Sequence, residues 1–158
     1  MATAQPVKPV PDEYPTVTPY LSVSDAAAAI EFYTAVLGAV ERVRMGAPGG
    51  RIGHAEITIG SSLVMLADEF PEMGARSPKA LGGTPVTLHV YVEDVDAVHA
   101  RALAAGATEL EPVADRFYGD RSGQFADPFG HRWSIASHVE DVPPEEMRRR
   151  AAAQFGTS

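Results

Sequence analysis

Two stretches of this chain repeat each other at an almost constant offset. Thr18-Pro-Tyr-Leu-Ser-Val-Ser-Asp25 matches Thr87-Leu-His-Val-Tyr-Val-Glu-Asp94, 69 residues on. Leu37-Gly38-Ala39 matches Ala105-Gly106-Ala107 at 68, while Arg51-Ile-Gly53 matches Arg121-Ser-Gly123 and Gly60 matches Gly130 at 70. Anchors that keep register across a strand end, a helix stop and a hairpin signal an internal duplication. Such a chain must fold as two alike units. Its 158 residues are enough for both to share one core without staples.

Each unit reads β-α-β-β-β. Residues 16–23 alternate, with Thr18, Tyr20 and Ser22 on one face and Leu21 and Val23 on the other, which is a strand with one apolar side. Ser24 or Asp25 caps a helix that runs to Leu37, where Gly38 stops it. Strands are expected over residues 39–45, 52–59 and 63–67. The second unit repeats the pattern with a strand at 87–92, a helix after Asp94 that Gly106 stops, and strands at 108–113, 121–126 and 133–138. Asp127-Pro-Phe-Gly130 is a turn between the last two. The expected organisation is a proline-rich extended or disordered tail (1–15), a first module (16–68), a linker loop (69–86), a second module (87–139), and a C-terminal helix with its tail (140–158).

Composition removes several function classes. There is no cysteine, so thiolate chemistry, disulfides and iron–sulfur clusters are excluded. Thirteen basic against twenty-one acidic residues give a formal charge of −8, which argues against nucleic-acid or anionic-membrane partners. No apolar run approaches the roughly 20 residues of a membrane span, and the N-terminus lacks a secretory signal's apolar segment. A cytoplasmic location is the default expectation. No nucleophile elbow, phosphate loop or dinucleotide glycine fingerprint occurs.

The doubled unit resembles the vicinal oxygen chelate superfamily of glyoxalases, extradiol dioxygenases and bleomycin-resistance proteins, over about residues 16–138. Finer motifs resemble its PhnB-like branch: His54-Ala-Glu56, Met65-Leu-Ala-Asp-Glu69, Gly119-Asp-Arg-Ser-Gly123, and above all Asp127-Pro-Phe-Gly-His-Arg-Trp-Ser-Ile-Ala-Ser-His-Val-Glu-Asp141. The resemblance implies an α+β fold: two tandem βαβββ modules whose curved mixed sheets surround a concave cavity, with the helices outside. It also implies a homodimer. In the superfamily's metalloenzymes, four side chains hold one divalent ion that chelates the substrate. Those positions fall here on Thr18, near Val64, on Thr87 and on Ser134. Hydroxyl and alkyl groups are poor partners for zinc, nickel or iron. No cofactor is therefore expected, and glyoxalase I activity is not. A divalent metal at a displaced site, built from His54, Glu56 and His89, is the remaining metal reading.

What the period of two leaves on the inner faces is polar: Thr18, Tyr20 and Ser22, then Thr87, His89 and Tyr91, then His54 and Glu56. Arg121, Gln124 and Ser134 are expected to join them, with Tyr118 near the mouth. Three strands with polar inner faces suggest a wet pocket for a small molecule, because unpaired polar groups are costly in a dry core. Sequestration of such a ligand is one reading. The alternative is a lyase or isomerase that moves a proton through His54 and Glu56, or through His89 and Tyr91. His99, His131 and His138 are expected to be structural, with His99 exposed, and Trp133 to pack beneath a helix.

Overall fold

The computed structural model describes residues 3–156. Its first module comprises β1 (Tyr20–Val23), α1 (Ala26–Leu37), β2 (Val40–Gly46), β3 (Ile52–Ile59) and β4 (Ser62–Asp68). The short helix α2 (Pro78–Leu81) interrupts the connection to the second module. That module holds β5 (Thr87–Tyr91), α3 (Val95–Ala104), β6 (Thr108–Asp115), β7 (Asp120–Ala126) and β8 (Arg132–His138), followed by α4 (Pro144–Phe155). The sheets have matching orders, β1-β4-β3-β2 and β5-β8-β7-β6, each with one parallel pair and two antiparallel ones.

The duplication extends to single hydrogen bonds. Tyr20 pairs with Met65 and His89 with Ser134, both members advanced by 69. Asp25 and Asp94 cap their helices by accepting the N–H three residues on, at 3.0 and 3.1 Å. At the same offset, Asp68 Oδ1 and Ser137 Oγ accept the first helical N–H of Ala26 and Val95. A carboxylate and a hydroxyl thus satisfy the same otherwise orphaned donor. Gly38 ends α1 at φ 67°, a left-handed conformation that carries no steric penalty in glycine.

Strand β1 is shorter than the alternation predicts. Pro15 and Pro19 have no N–H to give to a ladder, so formal pairing starts at Tyr20. The carbonyl of Pro19 still accepts from Met65 N–H at 2.9 Å. Thr18 therefore lies just before the strand.

One core serves both modules. Helices α1 and α3 lie against the apolar faces of the two sheets, and α1 bridges them. Its Phe32 meets Phe125 and Phe129 edge-on at 6.3 and 6.4 Å, and its Tyr33 meets Trp133 at 5.3 Å. Trp133 packs beneath a helix as the sequence implied, although the helix belongs to the other module. Tyr33 donates to Asp127 Oδ2 at 2.6 Å, and Trp133 Nε1–H donates to the same oxygen at 2.9 Å. Asp127 Oδ1 accepts the N–H groups of Phe129 and His131. Burial, followed by the Asp127 charge, pushes the Tyr33 hydroxyl well above its ordinary pKa. His131 adds a second link through its Nε2, 3.0 Å from the carbonyl oxygen of Ser22.

His99, expected to be exposed, is buried. It lies on the inner side of α3, with Nε2 against Glu109 at 2.9 Å and the ring beside Phe125. Arg101, two residues on, is exposed, and at 100° per residue the two side chains point to nearly opposite sides of the helix.

Asp127→Ala strands the buried donors Tyr33 Oη, Trp133 Nε1 and Phe129 N–H, and the partly buried N–H of His131. Each unpaired buried group costs about 1–3 kcal/mol, so the substitution is expected to lower unfolding free energy by about 3 kcal/mol. Urea denaturation at unchanged m-value reads this directly, and Asp127→Asn, which keeps one acceptor, is expected to lose less.

Candidate functional site

With both helices turned inward, each sheet presents its other face to solvent. Along β5, Leu88 and Val90 pack on the core while Thr87, His89 and Tyr91 point out. Along β7, Phe125 and Gly123 face α3 while Asp120, Ser122 and Gln124 take the open side. Tyr20 and Tyr91 are 54% and 61% exposed.

The first module's face carries a hydrogen-bonded chain. Tyr20 Oη lies 2.8 Å from His54 Nδ1, and His54 Nε2 lies 2.8 Å from Glu56 Oε2. Tyr14 reaches in from the N-terminal segment and donates to Glu56 at 3.0 Å. A carboxylate can only accept, so His54 Nε2–H donates to Glu56; in that tautomer Nδ1 accepts the hydrogen bond from the Tyr20 hydroxyl. The bond from His54, then that from Tyr14, hold the buried Glu56 carboxyl below the usual carboxylate range against the opposing effect of burial. Burial and the Glu56 charge raise the pKa of Tyr20. Sequence spacing placed His54 and Glu56 together. It could not supply Tyr14, which sits in a proline-rich tail 42 residues away.

The second module's face is arranged differently. His89 Nδ1 pairs with Ser134 Oγ at 2.9 Å, and the register puts Gln124 beside Ser134. His89 also meets Tyr91 edge-on at 4.9 Å. Tyr91 donates not to His89 but to Asp120 Oδ2, at 2.8 Å, and that bond together with burial raises its pKa. Tyr118, 40% exposed, sits in the turn before β7 against Phe117. A groove of about 820 Å³ runs along the free edge of β5 and is lined by Val36, Leu88, Val90, His89, Tyr91 and Trp133 among others. His89 and Tyr91 thus stand where this groove meets the open face.

Arg121 does not join them. Its position in β7 puts it on the α3 side, where it pairs with Asp96 at 2.8 Å and Asp115 at 3.2 Å. Arg121 and Gln124, expected on one face, are an odd number of residues apart, so a strand puts them on opposite faces: Asp120, not Arg121, shares the face of Gln124. Ser22 lies on β1, and its buried Oγ has no hydrogen-bond partner.

The superfamily's ion-binding corners can be checked on this geometry. Val64 faces the core, paired with Ile57. Met65 occupies the open-face position equivalent to Ser134 and pairs with Tyr20 and Glu56. The four corners are thus Thr18, Met65, Thr87 and Ser134. Two threonines, a thioether and a serine do not make a site for a divalent ion that selects imidazole and carboxylate. A displaced site fares no better in one chain, because His54 and Glu56 lie on one sheet and His89 on the other. Among the described residues, no group of three or more His, Asp or Glu is placed to hold a metal ion.

The family model of the glyoxalase/bleomycin resistance protein/dioxygenase superfamily matches residues 15–135, and the chain belongs to that superfamily. It is 46% identical to the uncharacterized protein Rv0887c of Mycobacterium tuberculosis, over 89% of this chain and 84% of that one. Among solved structures it is similar to TioX from Micromonospora sp. ML1, at 30% identity, TM-score 0.60, and coverage of 76% of this chain and 95% of that. A PhnB protein from Bacillus cereus shares the fold at 19% identity and TM-score 0.62, over 78% and 99% of the chains. No helix among the described residues is long and apolar enough to cross a membrane.

Because the folded Glu56 pKa is depressed, its contribution to stability is present at neutral pH and is lost as pH falls through that depressed value. Glu56→Gln is therefore expected to flatten the acid limb of the stability curve below the ordinary glutamate range, as read by urea midpoints across pH.

Proposed function

We propose that this protein binds a small organic molecule without a chelated ion, in a pocket completed by a second copy of the chain. The observation that carries the reading is the set of corner residues: Thr18, Met65, Thr87 and Ser134 stand where an ion would need charged or imidazole donors. Around those corners, each open face is a row of hydrogen-bonding and aromatic side chains, which suits a polar organic ligand better than a cation.

The packing supports a second copy. The two open faces lie on opposite sides of the shared helix layer, so neither can close over the other within a chain. Tyr20, Tyr91, Val17 and Val86 are exposed along or beside the unpaired edges of β1 and β5. Apolar and aromatic surface at two free edges favours burial against another sheet. Homodimers also meet the superfamily's habit. The acidic surface would steer a cationic ligand toward the pocket.

A second reading rests on Tyr20, His54 and Glu56. A hydroxyl, an imidazole and a buried carboxylate in series form a proton path, which would serve a lyase or isomerase with Tyr20 as the group facing substrate. In that case Tyr20→Phe abolishes turnover while leaving ligand binding intact. Under pure sequestration there is no turnover to lose.

Sedimentation equilibrium is expected to give a dimer. In melting experiments, nickel, zinc and iron(II) salts should leave the transition unchanged, while a member of a panel of cationic and aromatic antibiotics should raise it. A monomer at micromolar concentration, or metal-dependent stabilisation with stoichiometric uptake, would overturn the reading.

A further inference from the structure

The motif Gly119-Asp120 and the run ending at His138 and Asp141 are absorbed by neither reading above, yet the fold brings them together. Asp120 begins β7 and His138 ends β8, and the two are cross-strand partners. Both share the open face with His89, Ser134 and Gln124, because the alternate residues Arg121 and Ser137 point to α3. The Asp120 side chain is only 7% exposed. Its Oδ1 lies 2.8 Å from His138 Nδ1, and its Oδ2 accepts the Tyr91 hydroxyl at 2.8 Å. On the other side of the ring, His138 Nε2 lies 2.7 Å from Asp141 Oδ1, whose side chain is fully exposed.

The two ends of this imidazole are therefore unequal. Asp120 is buried, shared with a tyrosine and fixed between two strands. Asp141 is a fully exposed surface partner whose attraction to the ring is screened by solvent, so it is easily displaced. The backbone between His138 and Asp141 is held firmly. Gly119 O accepts the N–H groups of Val139 and Glu140, and Gly119 has φ +99° with no room for a Cβ, which would stand 2.1 Å from Glu140 O. A rigid loop thus holds the ring against Asp120 while only an exposed side chain covers Nε2.

We propose that Tyr91, Asp120 and His138 form an acid–base centre, in which His138 Nε2 exchanges a proton with a small ligand bearing an acidic O–H, N–H or C–H once Asp141 moves aside. Both ring nitrogens face carboxylates and donate to them at rest, so in the basic direction Nε2 first releases its proton to solvent as Asp141 moves aside; its lone pair then takes the ligand's proton and the ligand keeps the electron pair of the broken bond. The resulting imidazolium lies against Asp120, which holds Nδ1–H throughout and stays ionised. In the acidic direction, the same proton returns to the ligand. His138 is the group that touches ligand, whereas Asp120 and Tyr91 position it. The site is independent of the Tyr20–His54–Glu56 chain, which lies on the other sheet, and holds whichever reading of that chain is correct.

The charges around the ring set the expected pH behaviour. Asp120 and Asp141 raise the His138 pKa above the ordinary imidazole value. Burial opposes ionisation of Asp120, but the bonds from His138 and Tyr91 outweigh it and hold that carboxyl low. His89 and Tyr118 are the other titratable groups whose charges act on this cluster, and Arg150 pairs with Glu140 two residues beyond His138.

Carbethoxylation of the intact chain with diethyl pyrocarbonate, which reacts with unprotonated imidazole nitrogen, tests this when read histidine by histidine by mass spectrometry across pH. His138 is expected to react with an apparent pKa above that of ordinary imidazole. Asp141→Ala should raise its rate at pH 7 about fivefold or more, by uncovering Nε2 and lowering that pKa. Asp120→Asn should shift the profile to lower pH by about one unit or more, the scale of a single carboxylate partner. If Asp120→Asn does not fold, Tyr91→Phe takes its place: loss of the hydroxyl leaves more carboxylate charge for His138 and moves the profile to higher pH. The proposal is overturned if Asp141→Ala leaves His138 no more reactive than His131, or if the Asp120 or Tyr91 change leaves the profile where it was.

Discussion

Asp127 is the contact on which the architecture turns. A carboxylate at 4% exposure is tolerable only because four donors converge on it, two from its own hairpin backbone and two from the rings of Tyr33 and Trp133. Tyr33 belongs to the first module and the rest to the second, so satisfying this one charge requires α1 to lie on the second sheet. Once α1 is there, Phe32 and Tyr33 fill the space over Phe125, Phe129 and Trp133. The inside of the molecule is then a helix layer, and the polar faces of both sheets must look outward. The open faces and the free edges of β1 and β5 follow from that placement, and they are what the proposed second copy would cover.

Duplication explains why the faces differ so much while the scaffold does not. Positions that close backbone hydrogen bonds keep their role through either of two chemistries, as Asp68 and Ser137 do for the first N–H of their helices. Positions on the open faces carry no such duty. Tyr20, Met65 and Glu56 in the first module stand where His89, Ser134 and Gln124 stand in the second. The result is one face with a buried carboxylate backed by an imidazole in its middle row, and one whose middle row has no carboxylate and whose buried carboxylate, Asp120, sits at the far end of the sheet. A ligand held between two such faces meets a different chemistry on each side.

The regular parts of this arrangement were legible in the sequence because they rest on local periodicity. Strand faces, helix caps at Asp25 and Asp94, and stops at Gly38 and Gly106 depend on neighbours within a few residues, and repetition at 69 residues tested each of them twice. The unforeseen parts rest on contacts between distant segments. Nothing near Asp127 announces that its partner is Tyr33, 94 residues earlier, and nothing in a proline-rich tail announces that Tyr14 reaches Glu56. Arg121 and Gln124 are expected together, but they are three residues apart, and an odd separation along a strand puts two side chains on opposite faces. His138 was set aside as lacking a partner at ligand spacing. Its partner Asp120 is a cross-strand neighbour, invisible to any count along the chain.

The same reasoning bears on how a ligand would enter. Both buried carboxylates on the open faces are fully engaged: Glu56 by His54 and Tyr14, Asp120 by His138 and Tyr91. Breaking either pairing would leave a buried charge without a partner, which costs far more than a surface contact returns. A ligand therefore gains most by displacing only the outermost members, Asp141 at one site and the Tyr14 segment at the other, while the pairs beneath stay intact. The faces are in this sense already organised before anything binds. The polar groups are held by each other, and under the metal-free reading proposed above the energy that a chelating relative obtains from metal coordination would come from hydrogen bonds, stacking on Tyr20, His89 and Tyr91, and the apolar groove along β5.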